Sequence, residues 1–349
     1  MTTTQAALRR IPMAIFAAGV CLVYSWSALA ASEQVEANKV VAQRYIEALG
    51  MPEFAAVAAE TEAENHTLLR HEFENLKYNA DDPRLSTMLD PVQVAITDRT
   101  NTITRFLGEG DLVAATLRVT GTHSGNLYGI PATGKPIEIE GGAILRLDDE
   151  QKIVESWFLL EEVRLLRQVG ACLPARVDGQ INLPPVYDDV RTFDEAFAEH
   201  TANPADTPEY RHNRLLLAYK SLDKPDDYNF AGRPYSNRVR GGIDNIVERG
   251  VELGVQGSHG ASMSGRRDMV GTYLSEGDLA MISFRLTAIN DGPLYGIPPS
   301  GNELHDWELG FGEFDGDTWV DAWWMADELA FLLTIGNEEA LNFLVGGCT

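Results

Sequence analysis

The sequence predicts an α+β protein made of two tandem domains, each with N-terminal helices packed on a curved antiparallel sheet. Three observations carry this. Short blocks recur at a nearly constant distance. Each copy opens with apolar residues at helical spacing and continues in alternating runs of strand period. A proline-containing stretch separates the copies. With 349 residues, 44% of them hydrophobic, the chain is long enough to bury two cores.

Residues 1–30 read as a secretory signal: Arg9 and Arg10 precede the apolar run from Ile11 to Trp26, and Ala28-Leu29-Ala30 supplies small residues for cleavage. The run is short for a membrane span and contains Pro12. The mature protein is therefore expected in the periplasm or outside the cell, with no membrane contact after cleavage. Removing this segment takes away two arginines and no acid, which moves the net charge from −24 to −26. So acidic a surface repels a phosphate backbone, so nucleic acid is excluded as a partner. Two cysteines remain, Cys172 and Cys348, each after the last helical stretch of a copy, and an oxidising compartment would permit them to pair.

The first domain is placed at 33–172. Val40, Val41, Tyr45 and Leu49 lie at helical intervals, and Asp111–Gly121, Ile137–Leu147 and Ile153–Leu160 read as strands. Leu165 and Leu166 mark a short closing helix. A linker follows at 173–207, with Pro174, Pro184, Pro185 and Pro204; within it Phe193 and Phe197 suggest a short helix over Thr192–Ala202. The second domain, 208–345, repeats the order: Leu215, Leu216, Tyr219 and Leu222 on a helix, then a strand at Asp278–Ala288, then Phe331-Leu332-Leu333 in a closing helix.

The repeat is explicit. Glu109-Gly110-Asp111-Leu112 recurs as Glu276-Gly277-Asp278-Leu279, and Leu127-Tyr128-Gly129-Ile130-Pro131 as Leu294-Tyr295-Gly296-Ile297-Pro298, both at an offset of 167. Val154-Glu155-Ser156-Trp157 aligns with Val320-Asp321-Ala322-Trp323 at 166. A pocket between helices and sheet is the expected binding site. The paired copies are expected to pack as an intramolecular pseudo-dimer.

The run Gly121-Thr122-His123-Ser124-Gly125, then Gly129-Ile130-Pro131-Ala132-Thr133-Gly134-Lys135, Glu155-Ser156-Trp157 and Leu165-Leu166-Arg167-Gln168-Val169-Gly170 resembles the SnoaL-like polyketide cyclase (ester cyclase) family of the nuclear-transport-factor-2-like superfamily. The resemblance implies a cone-shaped α+β domain, no metal or organic cofactor, and ring closure by aldol condensation with a pocket aspartate as acid/base. That aspartate follows the family's tryptophan by four residues. The matching positions are Asp327 after Trp323 and Glu161 after Trp157. The glutamate departs from the pattern by one methylene. The second copy departs elsewhere, with Ala288-Ile289-Asn290 in place of Gly121-Thr122-His123 and Thr334 in place of Gln168.

Residue chemistry supports the same candidates. Proton abstraction beside a carbonyl needs one carboxyl group whose proton affinity is raised by an apolar pocket. Strand alternation puts Asp321, Trp323, Met325 and Asp327 on one face, and Glu155, Trp157, Leu159 and Glu161 on another. The competing reading is that these acids cap the closing helices. His123 is a candidate donor to a substrate carbonyl. His305 and Trp307 alternate on one strand face, where the first copy has Glu138 and Glu140. No phosphate loop, nucleophile elbow or metal-binding spacing is present. Two functions stay open. One is a cofactor-independent acid/base enzyme (aldol cyclase, isomerase or related carbon-acid chemistry) acting on a small hydrophobic carbonyl compound. The other is a non-catalytic module that uses the pocket to bind a ligand or protein.

Overall fold

The computed structural model describes residues 32–76, 92–171, 191–221, 224–226, 228–229, 263–294, 297–336 and 342. The expected signal segment, Cys172, Cys348, Tyr295 and most of the expected linker lie outside the described residues.

Helix α1 (32–48) and the turn after it bury Ala42, Tyr45, Ile46 and Leu49, a stripe that leaves the expected Val40 in solvent. Helix α2 (Phe54–Thr61) runs directly into β1 (Glu62–Arg70). After α3 (Val92–Ala95) come β2 (Ile96–Glu109), β3 (Leu112–His123), β4 (Pro136–Leu147), β5 (Ile153–Leu160) and helix α4 (Glu162–Val169). The spatial order of this first sheet is β1-β5-β4-β3-β2. It is not purely antiparallel as expected: β1 lies parallel to β5, because α2 delivers the chain to the sheet edge beside the last strand.

The second sheet runs β10-β9-β8-β7-β6. Its strands are β6 (Arg191–Thr192), β7 (Met263–Glu276), β8 (Leu279–Asn290), β9 (Glu303–Asp315) and β10 (Thr318–Ala326). All their pairings are antiparallel. Helices α5 (Phe193–Ala202), α6 (Pro208–Ala218) and α7 (Glu328–Ile335) complete the described fold. The segment read as linker is structural in its C-terminal part. Thr192 closes a capping box with Glu195, and Phe193 and Ala196 are buried in the core under the second sheet.

Among the described residues, apolar side chains form three clusters. One fills the space between α1, the first sheet and α4 and extends through Leu329, Phe331, Leu332 and Leu333 of α7; a second lies under the second sheet against α5 and α6. The third is sandwiched between the sheets and holds Leu107, Ala114, Trp157, Leu159, Leu274, Met281, Trp307, Leu309, Phe311, Trp323 and Met325. The approach there is close enough that a Cβ on Gly142 of β4 would collide with Leu309 of β9. Where the sheets meet, Glu109 accepts the amide of Ser275 at 2.7 Å, and Glu276 accepts that of Gly108 at 2.9 Å.

Candidate functional site

The closing strands β5 and β10 each end on an acid that precedes a short helix. At the end of β10, Asp327 N donates to the carbonyl of Trp307, and its carboxylate caps α7 by accepting from Ala330 N at 3.3 Å. The same carboxylate accepts from Arg70 Nε at 3.0 Å and Asn75 Nδ2 at 3.0 Å, both from the first half of the chain. Both Asp327 and Arg70 are only 2% exposed.

Arg70 organises a buried polar cluster. Its guanidinium also bonds Glu162 at 3.2 Å and the carbonyls of His71 and Phe158 at 3.0 and 2.7 Å. Glu162 in turn accepts the amides of Asn75 and Leu76. Burial pushes the Glu162 carboxyl up to about 7, with nearby Asp327 adding to the effect and Arg70 opposing it.

At the end of β5, Glu161 N donates to the carbonyl of Glu140. Its side chain makes no helix cap. It accepts instead from Glu140 N at 2.8 Å and Arg164 Nη1 at 3.0 Å. Burial raises its carboxyl above the ordinary range, and Arg164 pulls the other way.

A cavity of about 530 Å³ lies between the two sheets. Its apolar wall includes Leu69, Ile144, Leu274, Trp157 and Trp307, and its polar edge includes Glu109, Arg146, Glu155, Arg191, Tyr273 and Ser283. The volume falls in the range of small-molecule sites, about 300–1,000 Å³. The place is unexpected, since a helix-to-sheet pocket was anticipated. Strand alternation explains it, because the side chains that point away from one sheet's own helices meet those of the other sheet. The ring centroids of Trp157 and Trp307 are 5.9 Å apart. Trp157 is 3% exposed, and its Nε1 finds no hydrogen-bond partner among the described residues. An orphaned buried donor costs about 1–3 kcal/mol unless something else accepts it.

Of the residues singled out in the sequence, Glu155, Trp157 and Trp307 line this cavity. Trp323 and Met325 share the inter-sheet cluster, and Trp323 Nε1 donates to Glu140 Oε2 at 2.8 Å. Asp321 turns back to accept its neighbour's amide, Ala322 N. His123 is buried, which lowers its proton affinity, and its Nδ1 contacts the Thr133 hydroxyl at 3.1 Å. His305 contacts Arg285 at 2.9 Å, and burial together with that cation lowers its proton affinity. Neither histidine lines the cavity, and neither do Asp327 and Glu161.

With this geometry in place, similarity to known proteins can be located on the chain. Residues 39–169 match the SnoaL-like polyketide cyclase family. That match spans the first sheet and its helices, including Trp157, Glu161 and Glu162. Similar solved structures include IdmH from Streptomyces antibioticus (25% identity, 38% of this chain and 99% of that one, TM-score 0.30). TsrD from Streptomyces laurentii is another (18%, 39% and 96%, TM-score 0.29). A third is a protein of Jannaschia sp. CCS1 assigned to the SnoaL-like polyketide cyclases (16%, 39% and 93%, TM-score 0.32). No curated protein matches the chain.

Sequence reasoning missed Arg70, Asn75 and Glu162. Arg70 sits in a polar strand with no alternation to mark it, and its partners lie 92 and 257 positions away. Glu162 had a visible signal, being the second acid of a Glu-Glu pair at the strand-to-helix junction, where the side chain after Glu161 turns to the opposite side.

Proposed function

We propose that the chain is an exported small-molecule-binding protein made of two SnoaL-like halves packed as a pseudo-dimer. Its working site is the cavity between the sheets. The observation that carries this reading is the state of the two candidate bases. Asp327 accepts from Arg70, Asn75 and Ala330, and Glu161 accepts from Glu140 and Arg164, so the carboxylates are engaged in holding the structure. A general base must reach the proton it takes. The cavity offers instead two indoles and aliphatic walls. The reciprocal bonds of Glu109 and Glu276 support the pseudo-dimer, because each accepts an amide from beside the other, as residues related by a two-fold axis would. Arg9, Arg10 and the apolar run after them support export.

One observation favours a second reading, a cofactor-independent acid/base enzyme acting on a small hydrophobic carbonyl compound. That observation is the match of residues 39–169 to a polyketide cyclase family, which supports a cyclase-type reaction.

Deuterium uptake at acidic C–H positions of diketones and β-keto esters tests both. The mature protein is compared with Asp327→Asn, Glu161→Gln and Glu162→Gln. Uptake equal to the protein-free background supports the binding reading. Uptake abolished by any one of the three substitutions, in a variant that keeps its fold, establishes the enzyme.

A further inference from the structure

The two ends of the seam between the sheets are related by the repeat, yet only one of them holds a cation. Lys39 Nζ lies 2.9 Å from each carboxylate oxygen of Glu276 and 5.5 Å from the centre of the Phe106 ring. The repeat offset of 167 carries Glu276 to Glu109 and Phe106 to Tyr273, and both of these counterparts line the cavity. Glu109 has no cation partner among the described residues. One of its oxygens accepts from Ser275 N and Asn213 Nδ2, at 2.7 and 3.3 Å, and the other accepts no hydrogen bond. Asn38-Lys39 recurs as Asn213-Arg214, so Arg214 of α6 holds the place of Lys39, but its guanidinium lies 6.0 Å over the Phe197 ring of α5. Ser275 supplies a reason. A Cβ on its counterpart Gly108 would come within 3.3 Å of the Lys39 stem, and Ser275 carries that carbon, with its hydroxyl tied to Asn213 at 2.7 Å. The path that Lys39 follows past Gly108 is narrowed at the other end of the seam.

We infer that the cavity binds a protonated primary amine with an apolar body, its ammonium group held by Glu109 and Tyr273 as that of Lys39 is held by Glu276 and Phe106. The inference rests on the binding reading above and names its ligand class. The charge comes from the balance at the cavity's edge. Arg146 is shared by Asp111 at 2.7 Å and Glu155 at 3.0 Å, and Arg191 pairs with Glu199, so both arginines are matched while Glu109 is not. A carboxylate and an aromatic face together select an ammonium group, the first by its charge and the second by its quadrupole. Burial raises the Tyr273 phenol above its ordinary range, and Glu109 adds to the effect, which places the two side chains within electrostatic reach of each other. The apolar body comes from Leu69, Leu112 and Ile144, which line the cavity and keep part of their surface open.

Calorimetric titration of the mature chain at neutral pH with three probes of one shape tests the inference: phenylethylamine, propylbenzene and phenylpropanoate. The amine is expected to bind one to one and more tightly than the hydrocarbon, and the carboxylate more weakly than either. Added salt should weaken the amine and leave the hydrocarbon unchanged. Glu109→Gln keeps an acceptor for Ser275 N and Asn213 while removing the charge. It is expected to weaken the amine by roughly tenfold, the factor of one hydrogen bond to a charged group, and to leave the hydrocarbon as it was. Equal affinity for amine and hydrocarbon, tighter binding of the carboxylate, or an amine titration that Glu109→Gln does not change overturns the ligand class while the cavity stands. Leu112→Trp and Ile144→Trp, each putting a ring into the cavity, separate the two levels. Binding of no probe, or binding that survives both filled variants, overturns the binding reading itself.

Discussion

Glu109 and Glu276, 167 positions apart, do the same thing in opposite directions: each reaches across the seam to accept a backbone amide one position before the other, Ser275 for Glu109 and Gly108 for Glu276. The reciprocity makes the seam self-complementary, as in a two-fold dimer. Four measurable consequences follow from how that seam is built.

Arg70 is the cation shared by two buried acids. Replacing it with Met leaves Glu162 and Asp327 facing each other without a counter-charge, and loss of one partner of a buried ion pair costs about 3–5 kcal/mol. Thermal unfolding of Arg70→Met should show a large drop in midpoint. The drop should shrink when Asp327→Asn is added, since one of the stranded charges is then gone. An Arg70→Met midpoint within a degree of the parent would refute the cluster's structural role.

The pH dependence of stability carries the signature of Glu162. Burial raises its folded pKa from 4.5 to about 7, so between these values the folded state binds more protons than the unfolded one. This contribution is fully present below pH 4.5 and is lost as pH rises through about 7. Urea midpoints recorded from pH 5 to 8 should therefore fall with pH more steeply in the parent than in Glu162→Gln. Parallel profiles for the two proteins would contradict the assignment.

Gly142 lets the sheets meet. Gly142→Ala puts a methyl group into Leu309, and overpacking of this kind costs about 1–3 kcal/mol. Leu309→Val should recover part of the loss, giving a coupling between the two sites in a double-mutant cycle. Strict additivity of the two substitutions would place them out of contact.

The two seam tryptophans should respond differently to the same change. Trp323→Phe removes the donor to Glu140 and leaves that carboxylate short of a partner, a loss of about 1–3 kcal/mol. Trp157→Phe breaks no hydrogen bond among the described residues and deletes a donor they leave unsatisfied, so its effect on stability should be much smaller. Equal denaturation midpoints in the two variants would show that the contrast has no energetic weight.

The strands that turned out most legible were those with one face on a core. β5 runs over Ile153–Leu160 as alternation and the tryptophan suggested, and the helix expected over Thr192–Ala202 forms with Thr192 as its cap. β1, β2 and the start of β7 gave little signal. Glu62–Arg70 is polar along most of its length, and Met263–Asp268 holds Ser, Gly and two arginines, so neither shows a clean period of two. The parallel pairing of β1 depends on where α2 leaves the chain, which no local pattern encodes. The grouping of Asp321, Trp323, Met325 and Asp327 on one face pointed to a shared environment, and Trp323 and Met325 do share the inter-sheet cluster. Alternation did not reveal what lies opposite that face. The cavity is bounded by two sheets and the Asp327 cluster by both halves, so each depends on contacts between residues far apart in sequence.

Arg70 also orders events in time. A chain made from its N-terminus has completed β1 and α4 well before Asp327 emerges, and domains generally fold as they appear. Arg70 and Glu162, paired within that earlier part, form a neutral couple that can wait. Asp327 arrives near the end of the chain and joins its carboxylate to a guanidinium already in place. Closure of the last helix is thus a docking step onto a finished partner, and an unfolding experiment run in reverse should see α7 and the end of β10 released first.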